Sequence, residues 1–171
     1  RADIVKLCKA HPYRFFEAFT NGTLIDDKFC EEMLRVGNFF VSISIEGFAE
    51  ANDSRRGDGV YQKVMNAMAL LKEHKLPFGI SVCYTSRNYV DVSSDEFIDK
   101  IVDMGALFVW YFHYMPVGNN AVPALMPTIE QRTKMIKQIR YIRSNECDVE
   151  FYPMDFQNDG EYVGGCIAGG R

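Results

Sequence analysis

The chain has 171 residues, of which 47% are hydrophobic and 25% are charged, and its formal net charge is −4 at pH 7. Length and composition are typical of one globular domain. The small negative charge gives no electrostatic basis for binding nucleic acid or an anionic membrane, and no apolar run approaches the roughly 20 residues of a membrane span. The odd number and wide spacing of the cysteines favour a reducing, cytoplasmic location over a disulfide framework. They are Cys8, Cys30, Cys83, Cys147 and Cys166.

Strand and helix patterns alternate along the chain. The clearest helix has Val60, Val64, Ala67, Met68 and Leu71 on one apolar stripe. The predicted elements, in chain order, are the end of a helix at 4–10, a strand at 13–19, a helix from 26 or 27 to about 35, a strand at 39–45, a polar loop at 46–57, a helix at 60–74, a strand at 78–85, a helix capped by Ser93 and Glu96 and ending at 104, a strand at 107–115, a helix capped by Thr128 and Gln131 and ending near 144, and a strand at 149–155.

This alternation predicts an α/β fold with a parallel sheet and right-handed crossovers. The strand at 107–115 is apolar on both faces, as expected where helices cover a parallel sheet. An open doubly wound sheet and a partial barrel are both compatible with five strands. Polar residues at the carboxyl ends of several strands favour a curved sheet with a polar lumen, because barrel sites gather at those ends. These residues are Thr20, Asn21, Ser42, Ser44, Glu46, Ser81, Cys83, Thr85, Tyr111, His113 and Asp155.

No catalytic motif is complete in the residues alone. Glu46, Asp53, Arg55 and Arg56 form either a site for a small ligand of mixed charge or a solvated loop with surface ion pairs. His113 and Tyr111 have two interpretations each, as hydrogen-bonded core residues or as catalytic groups. Cys166 lies between glycine pairs, where a metal or cluster ligand is one interpretation.

Four segments, taken in order, resemble the middle of radical S-adenosylmethionine (SAM) enzymes. They are TNGTLI at 20–25, SISIEG at 42–47, Asp53-x-x-Arg56-Gly57 and MPVG at 115–118. The ending GCIAGG at 165–170 resembles the entry to a SPASM-type extension that binds auxiliary iron–sulfur clusters. The resemblance implies a partial (β/α)₆ barrel, in which a Cys-x-x-x-Cys-x-x-Cys loop holds a [4Fe-4S] cluster. That cluster reductively cleaves SAM to a radical that abstracts a substrate hydrogen.

The resemblance also implies roles for individual residues. Thr20, Asn21 and Ser44 match positions near the methionine end of SAM, with Ser42 on the same lumen face. Glu46 stands where many relatives have Asp, Arg56 matches an arginine that contacts the SAM carboxylate, and the strand ending at Thr85 flanks adenosine. Cys166 matches the first auxiliary-cluster cysteine. The substrate-facing candidates are His113, Tyr111 and Asp155.

The chain departs from this pattern because it has no Cys-x-x-x-Cys-x-x-Cys. Three thiolates hold the catalytic cluster and leave one iron open, so the sequence predicts an internal fragment that is inactive alone. About four to five βα units at 1–155 would form part of the barrel, and 156–171 a loop leading into a truncated SPASM-like extension. A peptide or protein substrate is expected, as is self-association through the edge strand.

Two other classes remain open at this point. One is a non-catalytic βα-repeat domain that binds a small metabolite or a partner protein. The other is a metal-dependent barrel of the sugar-isomerase sort, for which three histidines supply few ligands.

Overall fold

The computed structural model describes residues 1–144, 151–157 and 159. Its centre is one sheet of five parallel strands, which lie side by side in chain order. The predicted α/β class with parallel strands is therefore confirmed. The elements are α1 Ala2–Ala10, β1 Phe16–Thr20, α2 Asp27–Val36, β2 Phe39–Ser44, α3 Ala49–Arg56, α4 Val60–Glu73, β3 Phe78–Tyr84, α5 Tyr89–Val92, α6 Asp95–Asp103, β4 Phe108–His113, a 3₁₀ turn Pro123–Leu125, α7 Ile129–Arg143 and β5 Tyr152–Asp155.

The sheet is strongly curved. In a flat sheet β1 and β4 would lie about 14 Å apart, three strand spacings of about 4.8 Å each. Yet Trp110 Nε1 on β4 donates a hydrogen bond of 2.9 Å to Glu17 Oε1 on β1. The rings of Phe19 and Trp110 also approach, with centroids 6.4 Å apart. The sheet therefore forms part of a barrel, and we call the side carrying Glu17, Phe19 and Trp110 the concave face.

The opposite face of the sheet packs on the helices and forms the core. Strand residues Ile43, Ile80 and Val82 are fully buried there. The apolar stripe predicted for the helix at 60–74 is buried against them at four of its five positions, because those residues repeat at helical spacing. These four are Val64, Ala67, Met68 and Leu71 of α4. Within the described residues no helix is both long and apolar enough to cross a bilayer.

Helix starts are set by local capping. Thr128 and Gln131 make both hydrogen bonds of the predicted capping box of α7. The cap of α2 is Asp26, whose Oδ1 accepts from Phe29 N at 2.9 Å. The prediction for α6 was wrong by one residue, because Ser94 and not Ser93 accepts the hydrogen bond from Phe97 N. Ser93 instead donates to Val90 O at the end of the preceding turn.

Several helices and strands have boundaries or surroundings that differ from the predicted ones. The first strand begins at Phe16, and the aromatic rings before it, Tyr13 and Phe15, are 96% and 81% exposed. The predicted loop at 46–57 contains α3, an eight-residue helix with only Asn52 buried. The fourth strand is Phe108–His113 and its concave side is only partly covered, contrary to the expectation of two buried faces. Residues 149 and 150 of the predicted last strand lie outside the described part of the chain.

Candidate functional site

A cavity of about 690 Å³ opens at the carboxyl edge of β2 and β3. Loops that follow these strands, helix α3 and the 3₁₀ turn surround it. Its lining combines both charge signs with hydroxyl, amide and aromatic groups, as expected for a small-ligand site. The lining residues are Glu46, Phe48, Glu50, Ala51, Ser54, Arg55, Thr85, Arg87, Asn88, Asp91, Tyr114 and Leu125.

Glu46, two residues beyond β2, is the most buried charged group of this site, with 1% of its surface exposed. Its Oε2 accepts a hydrogen bond of 2.8 Å from Arg55 Nη1, and its Oε1 accepts one of 3.1 Å from Arg56 Nε. Arg56 Nη2 contacts the same Oε1. Desolvation raises the pKa of Glu46 above its usual value, and the two guanidinium groups oppose that rise. Two cations thus face one buried acid.

Arg55 is the arginine that borders the cavity. Its side chain is 43% exposed, and its Nη1 reaches both Glu46 and the carbonyl oxygen of Cys83, the latter at 3.3 Å. Desolvation alone would lower the pKa of Arg55, but the charge of Glu46 and the Cys83 side chain outweigh it and the pKa stands above its usual value. Arg56, which the resemblance assigned to the ligand, is absent from the lining and is held on Glu46.

Two buried asparagines hold the backbone at Glu46. Asn52 Oδ1 accepts a hydrogen bond from Glu46 N at 3.2 Å, and Asn88 Nδ2 donates to Glu46 O at 2.9 Å. Asn88 Oδ1 also accepts from Thr85 N at 2.6 Å and from Thr85 Oγ1 at 2.9 Å. Thr85, a predicted contact for the ligand, is therefore buried and directed towards Asn88 while bordering the cavity.

Other predicted residues lie along the concave side and its rim. Ser42 is buried in mid-sheet and its Oγ donates to Glu17 Oε1 at 2.5 Å. Ser44 ends β2 in register with Ser81. After β1, Thr20 Oγ1 accepts from Gly22 N at 3.1 Å and Asn21 Oδ1 accepts from Thr23 N at 3.2 Å. Thr20 and Asn21 thus stabilise a turn, and none of these four residues lines the cavity.

The structure contradicts the expectation that Tyr111 and Asp155 face a substrate in the lumen. Both are 1% exposed, and Tyr111 Oη donates to Val92 O at 2.7 Å on the helix side. The reason is register: Tyr111 pairs with Val82, and both strands have their helix-facing residues at these positions. On β4 the concave residues are Trp110 and Phe112, in register with Ser81 and Cys83.

His113 shares the helix-facing side with Tyr111. It pairs in register with Tyr84, and the two rings are in contact with centroids 6.1 Å apart. Burial lowers the pKa of His113, with a further decrease from Arg132 that Asp155 partly opposes. The ring is therefore neutral at neutral pH, and His113 lies outside the cavity lining.

Metal ligands do not converge in the described residues, where no group of three His, Cys, Asp or Glu side chains could hold an ion. Cys8 and Cys30 belong to the hydrophobic core. Burial raises the pKa of Cys30 to about 11, so its thiol stays protonated and is a poor ligand. Cys166 lies outside the described residues. The cluster that the resemblance implies therefore does not fit the part of the chain that the structure describes.

Sequence reasoning missed Asn52 and Asn88, which organise this site. A signal exists for Asn88, because Thr85 directly after a strand with Asn three residues later is typical of a side-chain-stabilised turn. Arg55 stood beside Arg56 in the sequence, and nothing local distinguishes the arginine that lines the cavity from the one that does not.

A curved parallel βα sheet with a charged cavity at its carboxyl edge defines a partial-barrel protein of the kind that binds small ligands at strand ends. Residues 1–96 match the family model of the Radical SAM superfamily. The chain belongs to the Radical SAM superfamily.

Three comparisons place it among its relatives. It is 29% identical over 124 residues to an uncharacterised protein of Methanocaldococcus jannaschii, covering 70% of this chain and 42% of that protein. It is 27% identical over 103 residues to a serine-type anaerobic sulfatase-maturating enzyme of Klebsiella aerogenes, covering 58% of this chain and 25% of that enzyme. A solved structure of native anSMEcpe with bound AdoMet and Cp18Cys peptide superposes with a TM-score of 0.70 at 19% identity. The match covers 98% of this chain and 50% of that one. The chain thus spans less than half the length of these two curated relatives.

Proposed function

We propose that this chain forms part of the catalytic barrel of a radical SAM enzyme and that the cavity at the edge of β2 and β3 binds S-adenosylmethionine. The observation that carries the proposal is the cavity itself, with Arg55 and acidic side chains at a barrel edge. SAM has an anionic carboxylate beside cationic amino and sulfonium groups. When bound at a reduced iron–sulfur cluster, SAM supplies the radical that abstracts a substrate hydrogen.

The residues of this chain would bind and orient the ligand. Arg55 offers a forked, permanently charged donor suited to a carboxylate. Glu50 and Asp91 offer negative charge to the cationic groups of the ligand. The role of Arg56 is to neutralise Glu46, which leaves Arg55 a net positive charge towards the cavity. Ser44, at the same edge as the cavity, is proposed as a further polar contact, together with Thr20 and Asn21 on the neighbouring turn.

The catalytic cluster would be held outside this chain. Supporting this, the sequence has no Cys-x-x-x-Cys-x-x-Cys, and the described residues hold no group of three ligands. The chain also covers only half of a solved neighbour. We therefore propose a fragment that supplies five strands of a six-stranded barrel, with Cys166 an auxiliary-cluster ligand in the segment after β5. A peptide or protein substrate is supported by the sulfatase-maturating relative and the peptide-bound neighbour.

The binding half of the proposal is tested by calorimetric titration of the purified chain with SAM. Replacing Arg55 with Gln removes the cationic donor of the cavity and should weaken binding about tenfold, the value of one charge-assisted hydrogen bond. The matched control is Arg35→Gln on the exposed surface of α2, which should leave the affinity unchanged. Absence of binding by the unaltered chain, or equal loss in both variants, would reject the cavity as the site.

The fragment half is tested separately, by anaerobic reconstitution of the chain with iron and sulfide, followed by dithionite and SAM. No 5′-deoxyadenosine is expected by chromatography, because the chain lacks the three-thiolate loop. Formation of that product would overturn the fragment proposal. The coding sequence upstream of Arg1 gives an independent check, since a Cys-x-x-x-Cys-x-x-Cys there is expected.

A further inference from the structure

We propose that Asn88 is a positioning residue, which holds the ends of β2 and β3 so that Arg55 presents its guanidinium to the cavity. The inference rests on the proposed function for the identity of the ligand, but the positioning itself is a property of this chain. Asn88 is 7% exposed and borders the cavity.

The hydrogen bonds of Asn88 join two strand ends. Its Oδ1 accepts from Thr85 N and Thr85 Oγ1, both after β3. Its Nδ2 donates to Glu46 O, beyond β2, at 2.9 Å, and to Cys83 O at 3.3 Å. A buried amide with both its oxygen and its nitrogen bonded has one orientation, since any other leaves polar groups unpaired. Asn88 therefore fixes the spacing between the two strands where the ladder ends.

Backbone hydrogen bonds between β2 and β3 do not fix this spacing. The final backbone bond that joins Ile45 to β3 runs from Ile45 N to Ser81 O at 3.0 Å. Beyond it, Cys83 O receives side-chain donors: Asn88 Nδ2 and Arg55 Nη1, each at 3.3 Å. Arg55 and Asn88 thus share one carbonyl acceptor. Moving Asn88 changes the position of that acceptor and so the position of Arg55.

Asn88 also holds Glu46, the second hydrogen-bond acceptor of Arg55. Arg55 Nη1 also donates to Glu46 Oε2 at 2.8 Å, and the Glu46 backbone is held between Asn52 on its N–H and Asn88 on its carbonyl. Without Asn88, one side of this backbone clamp is lost, and each of the two acceptors of Arg55 loses one hydrogen bond that holds its strand end. The expected consequence is a mobile guanidinium and weaker ligand binding, with the cavity otherwise intact.

A direct test compares the unaltered chain with Asn88→Ala and with Asn66→Asp, a control on the exposed surface of α4. The readout is the ¹⁵N heteronuclear NOE of the Arg55 Nε–Hε group, assigned with Arg55→Gln. Asn88→Ala should lower this NOE, and Asn66→Asp should not. If circular dichroism shows that the Asn88→Ala chain is unfolded, Asn88→Ser, which retains a hydrogen-bond donor, replaces it. An unchanged Arg55 NOE in a folded variant would overturn the inference.

A double-mutant cycle then separates positioning from general stability. Asn88→Ala and Arg55→Gln should each weaken SAM binding about tenfold, and the double variant should bind no more weakly than Arg55→Gln alone. Full additivity, or unchanged binding in Asn88→Ala, would overturn the role of Asn88. If the unaltered chain does not bind SAM, the proposed function fails, while the Arg55 NOE still decides the positioning role.

Discussion

Gly79 shows how a single residue shapes the concave face. A Cβ at this position would lie 2.2 Å from Phe108 Cε2, closer than real side-chain contacts allow. The Phe108 ring occupies this space and reaches Phe40 on β2, with ring centroids 6.0 Å apart in an edge-to-face arrangement. Glycine is therefore required in mid-strand by packing and not by backbone conformation, despite its usual cost there.

We expect Gly79→Ala to lower the free energy of unfolding by about 2 kcal/mol, the typical cost of overpacking. Urea unfolding followed by the fluorescence of Trp110, the single tryptophan, would measure it. In a Phe108→Ala background the same substitution should cost almost nothing, because the clashing ring is gone. An equal cost in both backgrounds would show that the ring is not the cause.

Local chemistry explains which elements the sequence could predict. The capping box of α7 was predictable because both of its hydrogen bonds join residues within one turn, Thr128 and Gln131. Helix α3 was not, because it is polar and lacks an apolar stripe, and its buried Asn52 instead bonds Glu46 and Asp53. The face of Tyr111 was not predictable either, since the register between β3 and β4 depends on both strands and on the crossover between them.

One buried side chain links the end of the first helix to the start of β2. Asn38, just before β2, is 5% exposed, and its Nδ2 points to the carbonyl oxygens of Cys8 at 3.1 Å, His11 at 3.1 Å and Arg14 at 2.9 Å. These carbonyls lie at the end of α1 and in the segment leading to β1. Such an anchor joins three parts of the chain that have no strand ladder between them.

Asn38→Ala should therefore release α1 before the rest of the domain. We expect faster amide hydrogen exchange throughout Ala2–Ala10, with exchange in α4 unchanged, and a loss of about 2 kcal/mol in unfolding free energy from the lost hydrogen bonds of the buried amide. Mass spectrometry of peptides resolves the two helices. Asn66→Ala is the control; acceleration in α4 equal to that in α1 would mean global destabilisation and not a local anchor.

Strand β5 is attached to α7 by an ion pair. Arg143 Nη1 donates to Asp159 Oδ1 at 3.0 Å, Nη2 contacts Oδ2, and Nε donates to Pro153 O at 2.5 Å. The two side chains are 18% and 15% exposed. Burial raises the pKa of Asp159, but the bonds from Arg143 and from the Asp155 backbone outweigh it and the pKa lies below its usual value.

This pKa shift has a defined pH dependence. Because the folded pKa is lower than the unfolded one, the pair stabilises the fold above the ordinary Asp pKa and loses this contribution as the pH falls through the folded value. Asp159→Asn should cost about 2 kcal/mol at pH 7, with a difference from the unaltered chain that shrinks below about pH 4. Urea unfolding at several pH values measures this. Exposed Asp58→Asn should show neither effect, and a pH-independent difference would exclude the ion pair as the cause.

At the scale of the whole molecule, β1 is the open side of the barrel. Within the described residues it pairs only with β2, so the backbone groups of its other edge are available to a further strand. Phe19 lies on this strand, 54% exposed, and contacts Phe112 on the concave face. An apolar edge beside an apolar face favours pairing with another chain, because both backbone hydrogen bonds and buried area are gained.

We therefore expect the chain to self-associate through β1, seen as an apparent mass that rises with concentration in multi-angle light scattering. Phe19→Lys places a charge on the edge strand and should shift the association to higher concentration. Leu34→Lys is the matched control, because Leu34 is 50% exposed on α2 and is not part of a strand. A constant monomer mass at high concentration would contradict the expectation. Equal effects of the two lysines would locate the association outside β1 and would contradict pairing through this strand edge.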